Sequence, residues 1–456
     1  MVEMATPNAT IAIIGAGFAG LRAARRLEEL KISYVIFEGS NRIGGRVFPF
    51  QYSSGYLQYG AEYVNGVDNE IYEIVKKNNL LAEKELDYEA TEAVVNGKEV
   101  AEDLLETWYR FETRTGEKIE KEGGNRKLNN QSVLERIDFY YDKFLNQNSF
   151  LPKEIVILNG LKNLFKNQYQ LEFSAKGEDL CLKNFYIWDS GVEKEWSLNK
   201  FGFKTILDKL MIGVPNEKIL LNSKVINIDY SGQKVRLQIA NSSQIQLFDS
   251  VIVTSSIGYL KKHKTAMFSP NLTSSKSSAI DQMGYGNNMK IFLEYDKPWW
   301  PKGFAGVQIS QNNSTQTKDF QLFQPSLWAE NILVAWLAGD GPMEVSKLTD
   351  DQLIDLIDNL LIINLKTTYT VSKMKKLYRH NWISDEFALG SYSYMAKNAC
   401  QEDIFEQLAA PILKGKKPVI CFAGEHTDTT MYQTTVGAAR SGLREADRLF
   451  KYYSSV

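Results

Sequence analysis

Cysteine and histidine are scarce in this chain of 456 residues, with three of each. Cys181, Cys400 and Cys421 stand far apart, as do His263, His380 and His426. That spacing suits neither a zinc site nor a disulfide framework, so no metal is expected and a reducing compartment fits best. Long apolar runs are also missing. No stretch approaches the roughly 18 apolar residues of a membrane span, and no membrane association is expected. Met1 to Thr10 show no basic segment followed by an apolar one, which argues against a secretory leader. The closing Lys451-Tyr452-Tyr453-Ser454-Ser455-Val456 is neither a peroxisomal tripeptide nor a lipidation box, so a cytoplasmic location is expected. Charge of one sign is not in excess. The 53 basic and 55 acidic residues leave a net charge of −2, and without a long basic run nucleic-acid binding has no electrostatic footprint.

What is present is the balance of a soluble globular protein, 44% hydrophobic and 24% charged. The length points to two or three domains. Ile11-Ala12-Ile13-Ile14 is a short apolar run ending at Gly15, and Leu21 to Leu30 has helical character. Ser33-Tyr34-Val35-Ile36-Phe37 is a second strand candidate, ending at Glu38. Strand, helix and strand within about 30 residues is the size of one parallel βαβ unit. The polar stretch from about 85 to 200 reads as mostly helical with loops, Val133 to Leu145 being amphipathic. Short strands follow at 218–221, 224–228, 234–239 and 250–254, then at 290–294 and 333–337, with a helix over 350–365. A buried strand at 417–423 and a closing helix over 437–450 end the chain. Nucleotide-fold signals thus recur at the start, middle and end, which predicts two interleaved domains.

Gly15-Ala16-Gly17-Phe18-Ala19-Gly20 lies between the first strand and its helix. Gly15 permits the tight turn, Gly17 lets backbone N–H groups approach a pyrophosphate, and Gly20 allows close helix–strand packing. The helix N-terminus adds partial positive charge for the phosphates. Glu38 stands 18 residues past Gly20, placed to accept from ribose hydroxyls. A glycine-rich turn with a capping acid is the plainer alternative, but the strand–helix–strand context favours dinucleotide binding. Asn41-Arg42-Ile43-Gly44-Gly45-Arg46 then supplies two arginines around a glycine pair. These suit a second phosphate or a flavin edge, which an NAD-only fold does not need.

Together with Tyr59-Gly60-Ala61-Glu62 and Phe422-Ala423-Gly424-Glu425-His426, these motifs resemble the flavin-containing amine oxidases. The resemblance runs from about residue 10 to 450 and is sparse between about 90 and 195. Met283 to Glu294 followed by Trp299-Trp300, Leu389 to Tyr394, and Tyr432 to Gly442 resemble the animal polyamine oxidases most.

The resemblance implies an α/β and α+β architecture. A Rossmann-like FAD-binding domain (1–85, 203–285 and 410–456) is interleaved with a substrate domain of mixed sheet and helices (86–202 and 286–409). It implies roles as well. Glu38 would hold the adenosine ribose, Arg42 and Arg46 the phosphates or ribityl side, and Val225 the adenine through its backbone. Gly45, Gly60 and Ala61 would line the cofactor. Glu425 would hold the ribityl or pyrophosphate segment, and Thr435 with Val436 would face the flavin pyrimidine edge.

Lys290 matches the family's active-site lysine, which reaches flavin N5 through a water. Read alone, a lysine ending a Gly-Asn loop is ordinarily a solvated edge charge. Tyr392 matches the aromatic wall over the flavin, with Tyr394 and Trp382 shaping the same pocket. Three departures stand out. Ser391 occupies the position of the cysteine that attaches flavin in monoamine oxidases, so FAD is expected to be non-covalent. Thr434 replaces their opposite wall tyrosine. Asn65 stands where histidine or glutamate is usual, which removes a titrating group. The implied reaction is hydride transfer from a polyamine carbon (spermine, spermidine or an N-acetyl form) to flavin N5. Imine hydrolysis and reduction of O2 to H2O2 follow. The alternatives are an oxidase of another amine and a flavin-bound interaction protein of low turnover. A monomer or homodimer is expected.

Overall fold

The computed structural model describes residues 9–85, 90–128, 130–183, 194–311, 317, 319–399 and 403–455. Strand β1 (Thr10–Ile14) is almost wholly buried, as an apolar run covered on both faces should be. It leads through the glycine turn into helix α1 (Phe18–Glu29) and then strand β2 (Ser33–Phe37). β1 lies in the middle of a six-stranded sheet. Its order is Ile412–Lys414, Lys417–Phe422, Ser250–Val253, β1, β2, Ile219–Leu220. All pairings are parallel except that of the outer two C-terminal strands. Adjacent strands therefore come from the start, middle and end of the chain. The strands at 225–229, 235–239 and 245–248, with Phe268–Ser269, form a separate four-stranded sheet instead.

The second large sheet has seven strands. It contains β3 (Glu92–Val95), β4 (Met289–Glu294), β5 (Val307–Ser310), β6 (Phe320–Pro325) and β7 (Ile332–Leu337). The order is Lys376–Arg379, β4, β7, β6, β5, β3, Lys98–Glu99, with only β3 and β5 parallel. Its two faces differ. Ile291, Leu293, Val307, Phe323 and Ala335 bury one face against Leu353, Ile357 and Leu361 of helix Asp350–Leu365. Alternation then turns Lys290, Gln308, Gln324 and Trp336 to the other face, where they line a cavity. Helices α2 (Glu102–Glu122) and α3 (Pro152–Phe173) roof it, with α3 lying across β3, β5 and β6. Close approach there depends on Gly160, where a Cβ would stand 2.4 Å from Val95.

Helix α4 (Thr435–Tyr453) closes the chain and packs along α1. A Cβ on Gly442 would meet the Ala19 carbonyl at 2.0 Å, so the two backbones touch. No helix among the described residues is long and apolar enough to cross a membrane.

The segment from 85 to 200 is mostly helix and loop, as expected, but β3 and Lys98–Glu99 join the large sheet. The partner of β3 lies more than 200 residues downstream (Glu92 against Val307), beyond any local pattern. The cysteines are not all free. Cys181 takes part in a disulfide, while Cys421 is free and buried. Spacing along the chain did not reveal this pairing, because tertiary structure decides which thiols meet.

Candidate functional site

One continuous cavity of about 1620 Å³ runs from the Gly15–Gly20 turn to the polar face of the seven-stranded sheet. At the turn, Gly15 has φ +105°, and a Cβ there would strike Thr254 Oγ1 at 2.5 Å. Gly20 sits beneath, where a Cβ would lie 1.9 Å from the Gly15 carbonyl oxygen. Gly17 is different, since a Cβ there would meet nothing nearer than the Gly44 carbonyl at 4.0 Å. The turn is thus closed below and open towards the cavity. The Gly44 N–H donates to Ala16 O at 2.8 Å, holding the second glycine loop against the first.

Glu38 is buried and its carboxylate organises these loops. Ala16 N–H donates to one oxygen at 2.7 Å, and Ser40 N–H and Oγ donate to the other at 2.8 and 2.7 Å. Of the roughly four acceptor positions of a carboxylate, these three donors among the described residues leave about one. Arg42 stacks its guanidinium 3.7 Å from the Phe48 ring centroid. Burial pulls its pKa below the usual value, and Asp385 and Glu38 offset this only in part. Arg42 Nη1 donates to the Ile43 and Val47 carbonyls at 3.4 and 3.5 Å, and the residue forms no ion pair among the described residues.

Arg46 and Glu425 are joined to each other. Arg46 Nη1 donates to Glu425 Oε1 at 2.8 Å and to Ser391 O at 2.7 Å. Ser393 Oγ and Gln433 N–H donate to the other Glu425 oxygen at 2.5 and 3.0 Å. Burial works to raise the Glu425 pKa, but Arg46 and its other partners hold it low, so the carboxylate stays charged. This pair fastens the arginine loop to two distant segments. Thr434 caps α4 by accepting from Gly437 N–H at 3.0 Å. Thr435 Oγ1 beside it is buried without a partner among the described residues.

At the far end stands Lys290, only 4% exposed. Its Nζ pairs with the Glu62 carboxylate and lies 5.2 Å from the Trp336 ring centroid. Burial lowers its pKa against the opposing pull of Glu62. Tyr63 stacks on Trp336 with centroids 6.4 Å apart. The Tyr392 phenol donates to Leu171 O at 2.9 Å and accepts from Asn288 Nδ2 at 2.9 Å, which fixes its ring on the wall. Ser391 Oγ meets Ser174 Oγ and accepts from Asn288 N–H. Asn65 Nδ2 donates to Glu195 Oε1 at 3.1 Å. Desolvation in the cavity raises the Glu195 pKa despite that bond and, with Glu195, pushes Glu172 up to about 7, although both residues are exposed by surface area.

The cavity therefore gathers Gly15, Gly17, Glu38, Arg42, Gly45, Arg46, Gly60, Ala61 and Val225 with Asn65, Lys290, Tyr392, Glu425, Thr434 and Thr435. Gly20 lies behind the turn, and the Val436 side chain is buried in the core. Trp382 lines the cavity and anchors its indole N–H on Tyr59 O. Tyr394 does not shape the pocket as expected. It is buried in the core and donates to Asp179 at 2.9 Å, because the strand begins at Ser393 and alternation does not extend back to Tyr392. Glu112, Glu172, Glu195 and Gln321 also line the cavity. Sequence reasoning missed them, since polar residues on helices and short strands ordinarily face water.

A dinucleotide cradle opening onto an enclosed chamber with a buried lysine is the arrangement of a flavin-dependent oxidoreductase. The family model described as flavin containing amine oxidoreductase matches residues 18–450. The chain belongs to that family and is an oxidoreductase that acts on amines with a flavin cofactor. Among curated relatives, the probable polyamine oxidase 5 of Arabidopsis thaliana is 27% identical, covering 98% of this chain and 99% of its own. The peroxisomal N(1)-acetyl-spermine/spermidine oxidase of Bos taurus is 24% identical over 96% and 94%. The protein anon-37Cs of Drosophila melanogaster is 26% identical over 99% and 92%.

The residues present fit a flavin dinucleotide. Gly17 leaves a space where a side chain would stand, and among the described residues Arg42 forms no ion pair and Thr435 Oγ1 lacks a partner.

Proposed function

We propose that this chain is a polyamine oxidase that holds FAD without a covalent link. The carrying observation is the buried Lys290, facing an aromatic and acidic chamber continuous with the cofactor cradle. The names of the relatives support the substrate class. Glu38 would hold the ribose, with Gly15, Gly17 and Arg42 at the phosphates. Arg46 and Glu425 act as a pair that shapes the ribityl side, and the α4 N-terminus with Thr435 meets the ring edge. Ser391 offers no thiol for attachment, which supports the non-covalent mode. Residues 1–85, 203–285 and 410–456 contain every strand of the six-stranded sheet and are proposed as the FAD domain. Residues 86–202 and 286–409 contain every strand of the seven-stranded sheet and are proposed as the substrate domain.

When bound, the flavin would supply the two-electron acceptor, taking a hydride from the carbon beside the reacting nitrogen. The protein provides placement and electrostatics. Tyr392, Tyr63 and Trp336 bound a slot for a slender aliphatic amine. Glu172 and Glu195 draw the cationic chain inward when ionised. Lys290, desolvated and biased towards its neutral form, holds a water or accepts a proton, with Glu62 as its partner. The resulting imine takes up water and splits into an aldehyde and an amine, while O2 becomes H2O2.

Anaerobic mixing with spermine, spermidine, their N-acetyl forms and a simple monoamine tests the reading. Bleaching of the yellow colour by a polyamine is expected. Bleaching by the monoamine alone, or by none of them, rejects it.

A further inference from the structure

A second, smaller cavity of about 30 Å³ lies against the lysine end of the chamber. Glu62, Tyr63, Gln324 and Trp336 line both spaces, so the partition between them is one side chain thick. Strand Gly55–Gln58, the end of β6 with the loop after it, and β7 enclose most of the remainder. Tyr56, Ser326 and Trp328 on its wall are half-buried and reach solvent, whereas Leu57, Phe292 and Val334 are buried. The small cavity thus leads from the surface to Glu62. Its volume holds about two waters, which need polar partners. Tyr56, Ser197, Ser326 and the Glu62 carboxylate are the groups suited to that task.

Among the described residues, Glu62 is the only charged side chain on this cavity, and Tyr56 and Tyr63 are its other titratable groups. The same carboxylate pairs with Lys290 Nζ. The Phe292 and Trp336 ring centroids stand 5.9 and 5.2 Å from that nitrogen, and Glu62 is the one charge bearing on it among the described residues. A proton on Lys290 therefore has one acceptor, and that acceptor faces a second, water-sized space. Amine oxidation has a proton to export. A substrate amine arrives as an ammonium, whose nitrogen has no lone pair with which to expel a hydride. Resting on the reading of the chain as a polyamine oxidase, we propose that Glu62 is a proton-relay residue joining Lys290 to water in the small cavity. The ammonium N–H bond breaks as a lysine N–H bond forms. That proton passes to the Glu62 carboxylate and then to water, with no change of oxidation state. The hydride leaves the neutral amine, whose lone pair becomes the second bond of the iminium. When O2 takes up the hydride, one proton returns by the same route and completes H2O2. Burial lowers the Lys290 pKa against the pull of Glu62, which keeps the lysine proton easy to hand on.

Anaerobic mixing with spermine, spermidine and N-acetylspermine in turn, in weak buffer with a pH-indicator dye, tests the route. The dye follows protons while the yellow colour follows the flavin. The wild type should release one proton per flavin bleached, in step with the bleaching. Glu62→Gln keeps the shape of the side chain but cannot carry the proton. At about pH 7 it should release the proton and bleach about tenfold more slowly, a modest part of what acid–base catalysis supplies. Near pH 10, where the amine enters uncharged, it should come within about twofold of the wild type. A counter-ion that only holds Lys290 charged predicts the reverse at neutral pH, because its removal frees the neutral amine. Rates in Glu62→Gln within about twofold of the wild type, or above it, at about pH 7 therefore overturn the relay and leave the polyamine reading standing. Absence of bleaching in the wild type with all three polyamines overturns both. Ser326→Leu, which narrows the small cavity without touching the pair, should slow proton release in the same way. If Glu62→Gln fails to fold, Ser326→Leu decides, and an unchanged rate there rejects the route.

Discussion

A lysine 4% exposed beside two aromatic rings is kept there by a function or by its partner. Glu62 pairs with it, yet burial still lowers its pKa, so the neutral amine is more accessible than in water. Lys290→Met should slow flavin reduction or the reaction with oxygen by about 10²-fold, as stopped-flow traces of the two half-reactions would record. Wild-type rates in both would remove the residue from the mechanism. The carboxylates give a pH signature. Desolvation in the cavity and then Glu195 push the Glu172 carboxyl up to about 7, although the residue is exposed by surface area. Below pH 7 it is neutral and attracts cations weakly, and above pH 7 it is ionised. KM for a cationic polyamine should therefore fall as pH rises through about 7, and Glu172→Gln should flatten that profile. Asn65 removes one titrating group, but its amide donates to Glu195, so ionisable charge remains next to the slot.

Among the elements, the glycine contacts make the sharpest claims. Gly442 lets α4 lie on α1, with no room for a methyl group against Ala19 O. Gly442→Ala should destabilise the protein by about 1–3 kcal/mol, read as a lower melting temperature. An unchanged melting temperature would mean that the helices separate freely. Elements set by local pattern were legible in the sequence. The apolar run at 11–14, the glycine turn, α1 and β2 form a contiguous βαβ unit, and helix Asp350–Leu365 falls at its expected bounds. Elements set by distant partners were not. β3 is a four-residue run whose pairing depends on a strand more than 200 residues away (Glu92 against Val307). The same limit applies to side chains. Lys290 was legible from its flanking motif, whereas Glu172, Glu195 and Gln321 acquire their meaning only when α3, Glu195–Trp196 and β6 enclose a common space. The wall position of Tyr392 and the core position of Tyr394 share one residue type, and composition cannot separate them. The disulfide at Cys181 belongs to this group as well.

For the whole molecule, the cradle and the lysine chamber are two ends of one cavity, and we propose that a bound flavin ring would lie beside Lys290. Cofactor binding then stabilises the folded state by mass action, by about 2.7 kcal/mol at a hundredfold excess over Kd. Removing the flavin should lower the melting temperature, and adding FAD should restore it. The visible absorption spectrum of the purified protein, recorded for wild type and for Lys290→Met, tests the placement most directly. A yellow flavin spectrum in both, with bands displaced in the variant because the neighbouring amine is gone, is the predicted result. A colourless protein that FAD cannot reconstitute, or two superimposable spectra, would contradict it.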